Sequence, residues 1–226
     1  MTELSDLTLK RDGASLHSGA VADVVPNLLA ELSWLPTGRA GVRLTGHTAL
    51  ATMLMPSGRI GRLAARALDA ACLPVRAILF DKSAATNWAL GWHQDRTIVV
   101  KERHDMPGFG PWTIKQGLQH VAPPFAYLSA MVTLRVHLDD VSPDNAPLRI
   151  AAGTHRLGLL PEPVIPGVVA RHPLHDCTAK AGDVWIYATP ILHASDRAKS
   201  VTRRRVLQVD YSAKALPSPL EWRGID

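Results

Sequence analysis

The feature that most constrains this sequence is a change of texture at Pro74. Before it, apolar residues recur at helical spacing; after it, short β-type runs are broken every few residues by Gly, Pro, Asn and Asp. Upstream, Val24, Val25, Leu28, Leu29, Leu32 and Leu35 predict a helix over 22–35, with Pro26 in its first turn. Ile60, Leu63, Ala67, Leu68 and Ala71 predict a second over 57–72, with Ser57 as its N-cap. Downstream, strands are expected at 75–80, 97–101, 131–138, 148–151, 183–187 and 205–211, the pattern of a β-sandwich or barrel. The stretch 102–124 carries three glycines and four prolines together with Phe109 and Trp112, and is expected to be a lid-like loop. No linker divides the chain, so residues 1–226 are read as a single domain, with 1–74 mostly helical and 75–212 forming the β core.

Composition narrows the chemistry. Only two cysteines occur, Cys72 and Cys177, which excludes a disulfide scaffold, a Cys-rich zinc module and a cysteine-ligated iron–sulfur cluster. A bound metal must therefore rest on histidines and carboxylates. The net charge of +5 is mild and dispersed and aromatics are only 5%, which argues against a nucleic-acid binder. No run of apolar residues is long enough for a membrane helix, and no secretory pattern opens the chain; a cytoplasmic protein is the expectation.

One constellation stands out. Trp92-His93-Gln94-Asp95 places an imidazole and a carboxylate two residues apart, on one face of a strand. His193, following the β-type run 183–187, is the best third ligand. Two histidines and one carboxylate on one face of an octahedral metal leave three positions open, the facial triad of non-haem Fe(II) oxygenases. Such enzymes need a two-electron co-reductant, commonly 2-oxoglutarate, whose distal carboxylate suits a guanidinium fork. Arg203, Arg204 and Arg205 follow His193; strand alternation separates Arg204 from its two neighbours, which are read as solvated surface charges.

These residues resemble the phytanoyl-CoA dioxygenase-like (PhyH-type) Fe(II)/2-oxoglutarate oxygenases. The resemblance runs over 80–211 and rests on four ordered segments: WHQD at 92–95, LDDVSPDNAPLRIAAGTHRLG at 138–158, GDVWIYATPILHAS at 182–195 and RRVLQVDYS at 204–212. It implies a mainly β fold, a double-stranded β-helix (jelly roll, cupin-like) with an N-terminal helical layer. It implies Fe(II), 2-oxoglutarate and O2 as cofactors, and hydroxylation coupled to decarboxylation of 2-oxoglutarate to succinate and CO2. Family spacing selects Arg204 for the cosubstrate carboxylate, and assigns cosubstrate contacts to Ser195 and Asn87. Ala146, Ala152 and Thr154 replace the usual Gly, Pro and Ser of the second segment. Asp95 is the ligand that related halogenases replace by Ala or Gly, so its presence points to hydroxylation.

The remaining candidates concern the substrate, expected to be a soluble small molecule, carboxylated or amino-acid-like. Thr133 and Arg135 share a strand face with His137, while Val132, Leu134, Val136 and Leu138 form an equally plausible core face. Met106, Phe109 and Trp112 are candidates for closing over the substrate. Lys82 is read as turn chemistry, Trp92 and Arg96 as facing away from the metal, and His155 as structural. A silent jelly-roll sensor, or a cupin-like metalloenzyme without 2-oxoglutarate, are the competing readings.

Overall fold

The computed structural model describes residues 7–36, 39–83, 86–199 and 202–225. A single helical turn, α1 (Leu9–Asp12), opens the chain, with the Thr8 hydroxyl accepting from the Arg11 amide at its N-terminus. It leads through Gly13 into β1 (Ala14–His17). The helix expected over 22–35 is a 3-10 turn (Ala22–Val24) continuing into α2 (Val25–Glu31), with Pro26 in the first turn as expected. The short strand β2 (Gly41–Leu44) follows, then α3 (Thr48–Leu54) and α4 (Gly61–Leu68). The second predicted helix is thus shorter at both ends. Ser57 is not its cap; its carbonyl instead accepts from Arg62 Nη1 (2.6 Å). Gly61 sets the start, because a Cβ there would lie 2.0 Å from the Met55 carbonyl oxygen.

The strand-rich region contains β3 (Leu73–Lys82), β4 (Leu90–His93), β5 (Ile98–Val100), β6 (Trp112–Lys115) and β7 (Leu118–Val121). After the turn α5 (Phe125–Leu128) come β8 (Met131–His137), β9 (Leu148–Ala151), α6 (Ile165–Val169), β10 (Leu174–Cys177), β11 (Val184–Ala188), β12 (His193–Ser195) and β13 (Arg204–Ser212). Two antiparallel sheets, ordered β1-β11-β8-β13-β3-β2 and β10-β9-β12-β4, face each other as a cupin-like jelly roll. The sequence-based expectation of a helical first third omits β1 and β2, which extend the larger sheet at its two edges. Four-residue strands are too short to display a period against helical neighbours.

The two faces of the larger sheet differ sharply. Ala77, Leu79, Val132, Leu134, Val136, Leu207, Val209 and Tyr211 point outward and pack with Leu28, Leu50, Leu54 and Ile60 from the helical layer. Each such Leu contributes about 1.5–3 kcal/mol on burial. The alternate residues point between the sheets and are polar: Arg76 and Lys82 on β3, Thr133, Arg135 and His137 on β8, Arg204, Gln208 and Asp210 on β13. Both candidate faces of β8 are therefore buried, the apolar one beneath the helices and the polar one in the barrel interior.

The stretch 102–124 is irregular only in part: 102–111 carries no helix or strand, whereas 112–121 is ordered as strands. Residues 112–121 form the β6–β7 hairpin of a third sheet, β5-β7-β6, joined by a two-residue turn with Gln116 at φ 50° and Gly117 at φ 78°. Among the described residues no helix is long and apolar enough to cross a membrane.

Candidate active site

Strand pairing assembles the metal site. β4 and β12 run antiparallel with His93 directly opposite His193, so the two imidazoles stand side by side, ring centroids 4.3 Å apart. Asp95 lies just beyond the end of β4, and one ligand atom from each of His93, Asp95 and His193 falls within 4.8 Å of the others. Gln94 between them bonds the carbonyls of Gly158 and Pro190 (2.9 and 2.8 Å) and accepts from the Leu160 amide, which fixes the strand end.

Both imidazoles are set for coordination. Nδ1 of His93 lies 2.8 Å from the Gly91 carbonyl, and Nδ1 of His193 lies 2.9 Å from the Ile191 carbonyl. A carbonyl only accepts, so each Nδ1 donates and each Nε2 keeps its lone pair for a metal. Burial and the neighbouring His93 push His193 down to about 4, keeping it neutral at pH 7. Burial alone would raise the Asp95 carboxyl, but Arg76 and the two imidazoles outweigh it and hold Asp95 below the usual range. Arg76 Nη2 sits 3.4 Å from Asp95, while its Nε donates to Asp210. Thr133, expected near the substrate, instead donates to Asp210 (2.9 Å) and lies outside the cavity lining.

A cavity of about 200 Å³ opens in front of the triad. At one end lies Arg204, only 3% exposed; its Nη1 donates to the Ala146 carbonyl (2.6 Å), while its Nε is buried without a partner. Burial and Arg135 push its pKa down to about 9, the signature of a guanidinium lacking an anion. Ser195 Oγ donates to the same carbonyl (3.2 Å), so Ser195 and Arg204 converge as the resemblance implies. Ala146 holds that carbonyl from a positive φ of 49°, which explains why Gly is usual at this position.

Lys82 corrects the sequence reading. It is no turn residue but the cross-strand partner of Arg204, with Nζ 2.7 Å from the Asp196 carbonyl and 3.3 Å from Ser195 Oγ. Burial, with Arg204 and Arg135 adding, pushes it down to about 8. Asn87 corrects it in the opposite direction. Its amide bonds both backbone groups of Ala198 (2.9 and 2.8 Å), clamping the loop ahead of β13 rather than facing the cavity.

Arg135 lines the cavity, donating to Gln208 Oε1 (2.9 Å) beneath the Phe80 ring. Met106, Phe109 and Trp112 do not line it; they pack with Ile98, Val121 and Leu128 in the separate core beneath the hairpin. Lys115, from that same hairpin, does reach the cavity, as do Arg43, Arg76, Phe80, Trp88 and Gln208, none of which the sequence singled out for the site. Period-two parity from Arg204 would have reached Gln208 and Asp210. Trp92 packs against the α6 cluster and Arg96 bonds the Leu160 carbonyl, both away from the triad as expected. Arg203 and Arg205 pair with Asp81 and Asp139, and His155 packs under Gly13 in a structural role.

The donor set fits a divalent metal: two imidazoles whose Nδ1 atoms are held by carbonyls, one ionised carboxylate and no thiolate. The orphaned Arg204 Nε and the buried Lys82 fit a dianionic keto acid. A jelly roll with this triad and this cationic end defines a non-haem iron, 2-oxoglutarate-dependent enzyme. The chain belongs to the phytanoyl-CoA dioxygenase (PhyH) family, whose profile matches residues 46–206.

No curated protein sequence matches it. Among solved structures, the apo form of EctD from S. alaskensis superposes with a TM-score of 0.67 at 18% identity, covering 97% of this chain and 82% of that one. The α-ketoglutarate-dependent epimerase SnoN from nogalamycin biosynthesis gives 0.62 at 17% identity, covering 96% and 83%. HygX from Streptomyces hygroscopicus, with nickel and 2-oxoglutarate bound, gives 0.59 at 17% identity, covering 90% and 84%. SnoN is also known with Fe3+, α-ketoglutarate and nogalamycin RO, and HygX with hygromycin B.

Proposed function

We propose that the protein hydroxylates an aliphatic C–H bond of a small molecule, converting substrate, O2 and 2-oxoglutarate into alcohol, succinate and CO2. The single observation that carries this reading is Asp95, ionised by Arg76 and facing both imidazoles, which supplies the third protein ligand. His93, Asp95 and His193 hold the iron, which when bound supplies the O2 activation that couples the two oxidations. Arg204 holds the distal carboxylate of 2-oxoglutarate through its unpartnered Nε, with Lys82 and Ser195 beside it. Phe80, Trp88 and Leu90 form an apolar wall that limits water around the reacting carbon. Complexes of HygX and SnoN with bulky natural products support a small-molecule substrate, which we place in the carboxylated or amino-acid-like class.

The test has two readouts. Anaerobic Fe(II) plus 2-oxoglutarate should give a weak visible charge-transfer band that vanishes in His93→Ala. A metabolite screen reading succinate should then return a product heavier than its substrate by one oxygen atom. A product of unchanged mass would favour epimerisation, and absence of the band in the intact protein would sink the assignment.

A further inference from the structure

The cavity carries more positive charge than iron and cosubstrate can neutralise. A divalent metal, Asp95 and dianionic 2-oxoglutarate together carry one net negative charge, which Arg204 takes up, and Arg76 is paired with Asp210. Arg135, Arg43 and Lys115 then remain facing the same space without an anion. Arg135 is deep: 7% exposed, bonded to Gln208 and close enough to Arg204 and Lys82 to depress both, so it belongs to the cosubstrate end.

Arg43 and Lys115 are placed differently. Arg43 is on the edge strand β2, opposite Ile78, and points to the cavity side of the sheet while its neighbours Val42 and Leu44 pack outward. Lys115 precedes the hairpin turn, and the turn residue Gln116 donates to the Gly41 carbonyl (3.3 Å), tying the hairpin tip to β2. Two cations from two different sheets are thus brought to the mouth of one cavity. Among the described residues neither makes an ion pair or a side-chain hydrogen bond, and the Arg43 Nε is buried without a partner. Arg43 is half-buried with its Nε enclosed, so its position is costly unless a ligand completes it, while the exposed Lys115 adds a second positive charge at the same mouth.

We infer that Arg43 and Lys115 form an oxyanion clamp for the substrate. Its occupant is a small molecule bearing a carboxylate or a phosphate monoester at the cavity mouth, with the carbon to be oxidised directed toward His93, Asp95 and His193. This rests on the hydroxylase reading and names its substrate class.

The experiment uses full-length protein loaded with Mn(II) and saturating 2-oxoglutarate, so that Arg204 is occupied and turnover is absent. Melting shifts are measured at constant ionic strength with inorganic phosphate, phenyl phosphate and phenylacetate, against phenylacetamide and benzyl alcohol as neutral counterparts. The anions should stabilise and the neutral compounds should not. In R43Q/K115Q the apparent anion affinity should fall at least tenfold, with the Fe(II)·2-oxoglutarate band intact. Stabilisation by phosphates alone assigns a phosphate ester, and by phenylacetate alone a carboxylic acid. No anion preference, or a preference that survives in the double variant, overturns the clamp. A missing band in the wild-type protein overturns the oxygenase reading, whereas a normal band with an anion-blind cavity overturns only the clamp.

Discussion

Arg76 offers the sharpest test of how the fold supports the metal site. Its side chain is 11% exposed and joins Asp210, whose side chain is 2% exposed, to Asp95 at 3.4 Å. Burial would lower its pKa, yet the two carboxylates hold it well above the usual arginine value. Arg76→Met removes the charge while keeping apolar bulk, and leaves Asp210 with Thr133 Oγ1 as its remaining side-chain donor among the described residues. A buried carboxylate stripped of its partner costs about 3–5 kcal/mol, a large fraction of a typical stability of about 5–15 kcal/mol. Asp210→Asn should cost less, roughly 1–3 kcal/mol, because Arg76 retains Asp95.

The double variant, with both buried charges gone, should be more stable than the sum of the two losses predicts, by about 2 kcal/mol. Urea unfolding of the metal-free protein at pH 7 measures all four corners of the cycle. Arg76→Met should also weaken metal binding by about 10–100-fold, since Asp95 loses the cation that keeps it ionised. A loss below about 1 kcal/mol, or strictly additive single variants, would refute the view that this pair is a buried, mutually dependent unit.

Two further outcomes are expected. Arg204→Lys keeps a charge but not the guanidinium fork, and should raise the 2-oxoglutarate KM about tenfold, with Arg204→Ala losing more; a KM unchanged in both would remove Arg204 from the cosubstrate site. His137, buried and pushed down to about 3 by burial and the nearby arginines, stays neutral in the fold while the unfolded chain takes up a proton near 6.5. Its contribution is therefore complete above pH 6.5 and is lost as pH falls toward 3, of order 2 kcal/mol by pH 5. His120, pushed down to about 4, acts in the same direction. Urea midpoints at pH 7 and pH 5 check this, and His137→Gln should flatten the difference.

His93 and Asp95 were legible because their information is local. An imidazole and a carboxylate at period two on a strand share a face whatever the rest of the chain does. His193 was chosen from its place after the β-type run 183–187 and Arg204 from family spacing, since nothing local says that β12 pairs with β4 in the register that sets His193 opposite His93. The N-terminal helices were legible in type but not in extent, because apolar periodicity alone overran the end of α2 at Glu31 and both ends of α4, Gly61 and Leu68. The hairpin was missed for a specific reason. A turn with both residues at positive φ is usually announced by Asn-Gly, and here Gln116-Gly117 fills it, so Phe109 and Trp112 read as lid aromatics rather than as the core of a small third sheet.

Orientation was the feature that the sequence left open. On β8 the sequence Met131–His137 alternates Val132, Leu134 and Val136 with Thr133, Arg135 and His137, and every residue of the strand is buried. The ordinary rule, apolar side inward, would have pointed Arg135 to solvent. Here a helical layer caps the sheet from outside and consumes the apolar face, so the polar face is left for the space between the sheets. The helices are therefore part of the active site's design although they supply none of its metal ligands. By burying Leu134, Leu207 and Val209 on the far side, they let the same strands present Arg135, Arg204 and Gln208 to the cavity. A charged interior of this kind is costly without its ligands, and three of its cations, Lys82, Arg135 and Arg204, have no carboxylate partner among the described residues. Anion binding is thus the counterpart that the strand parity itself demands, and cosubstrate affinity and fold stability draw on the same buried charges.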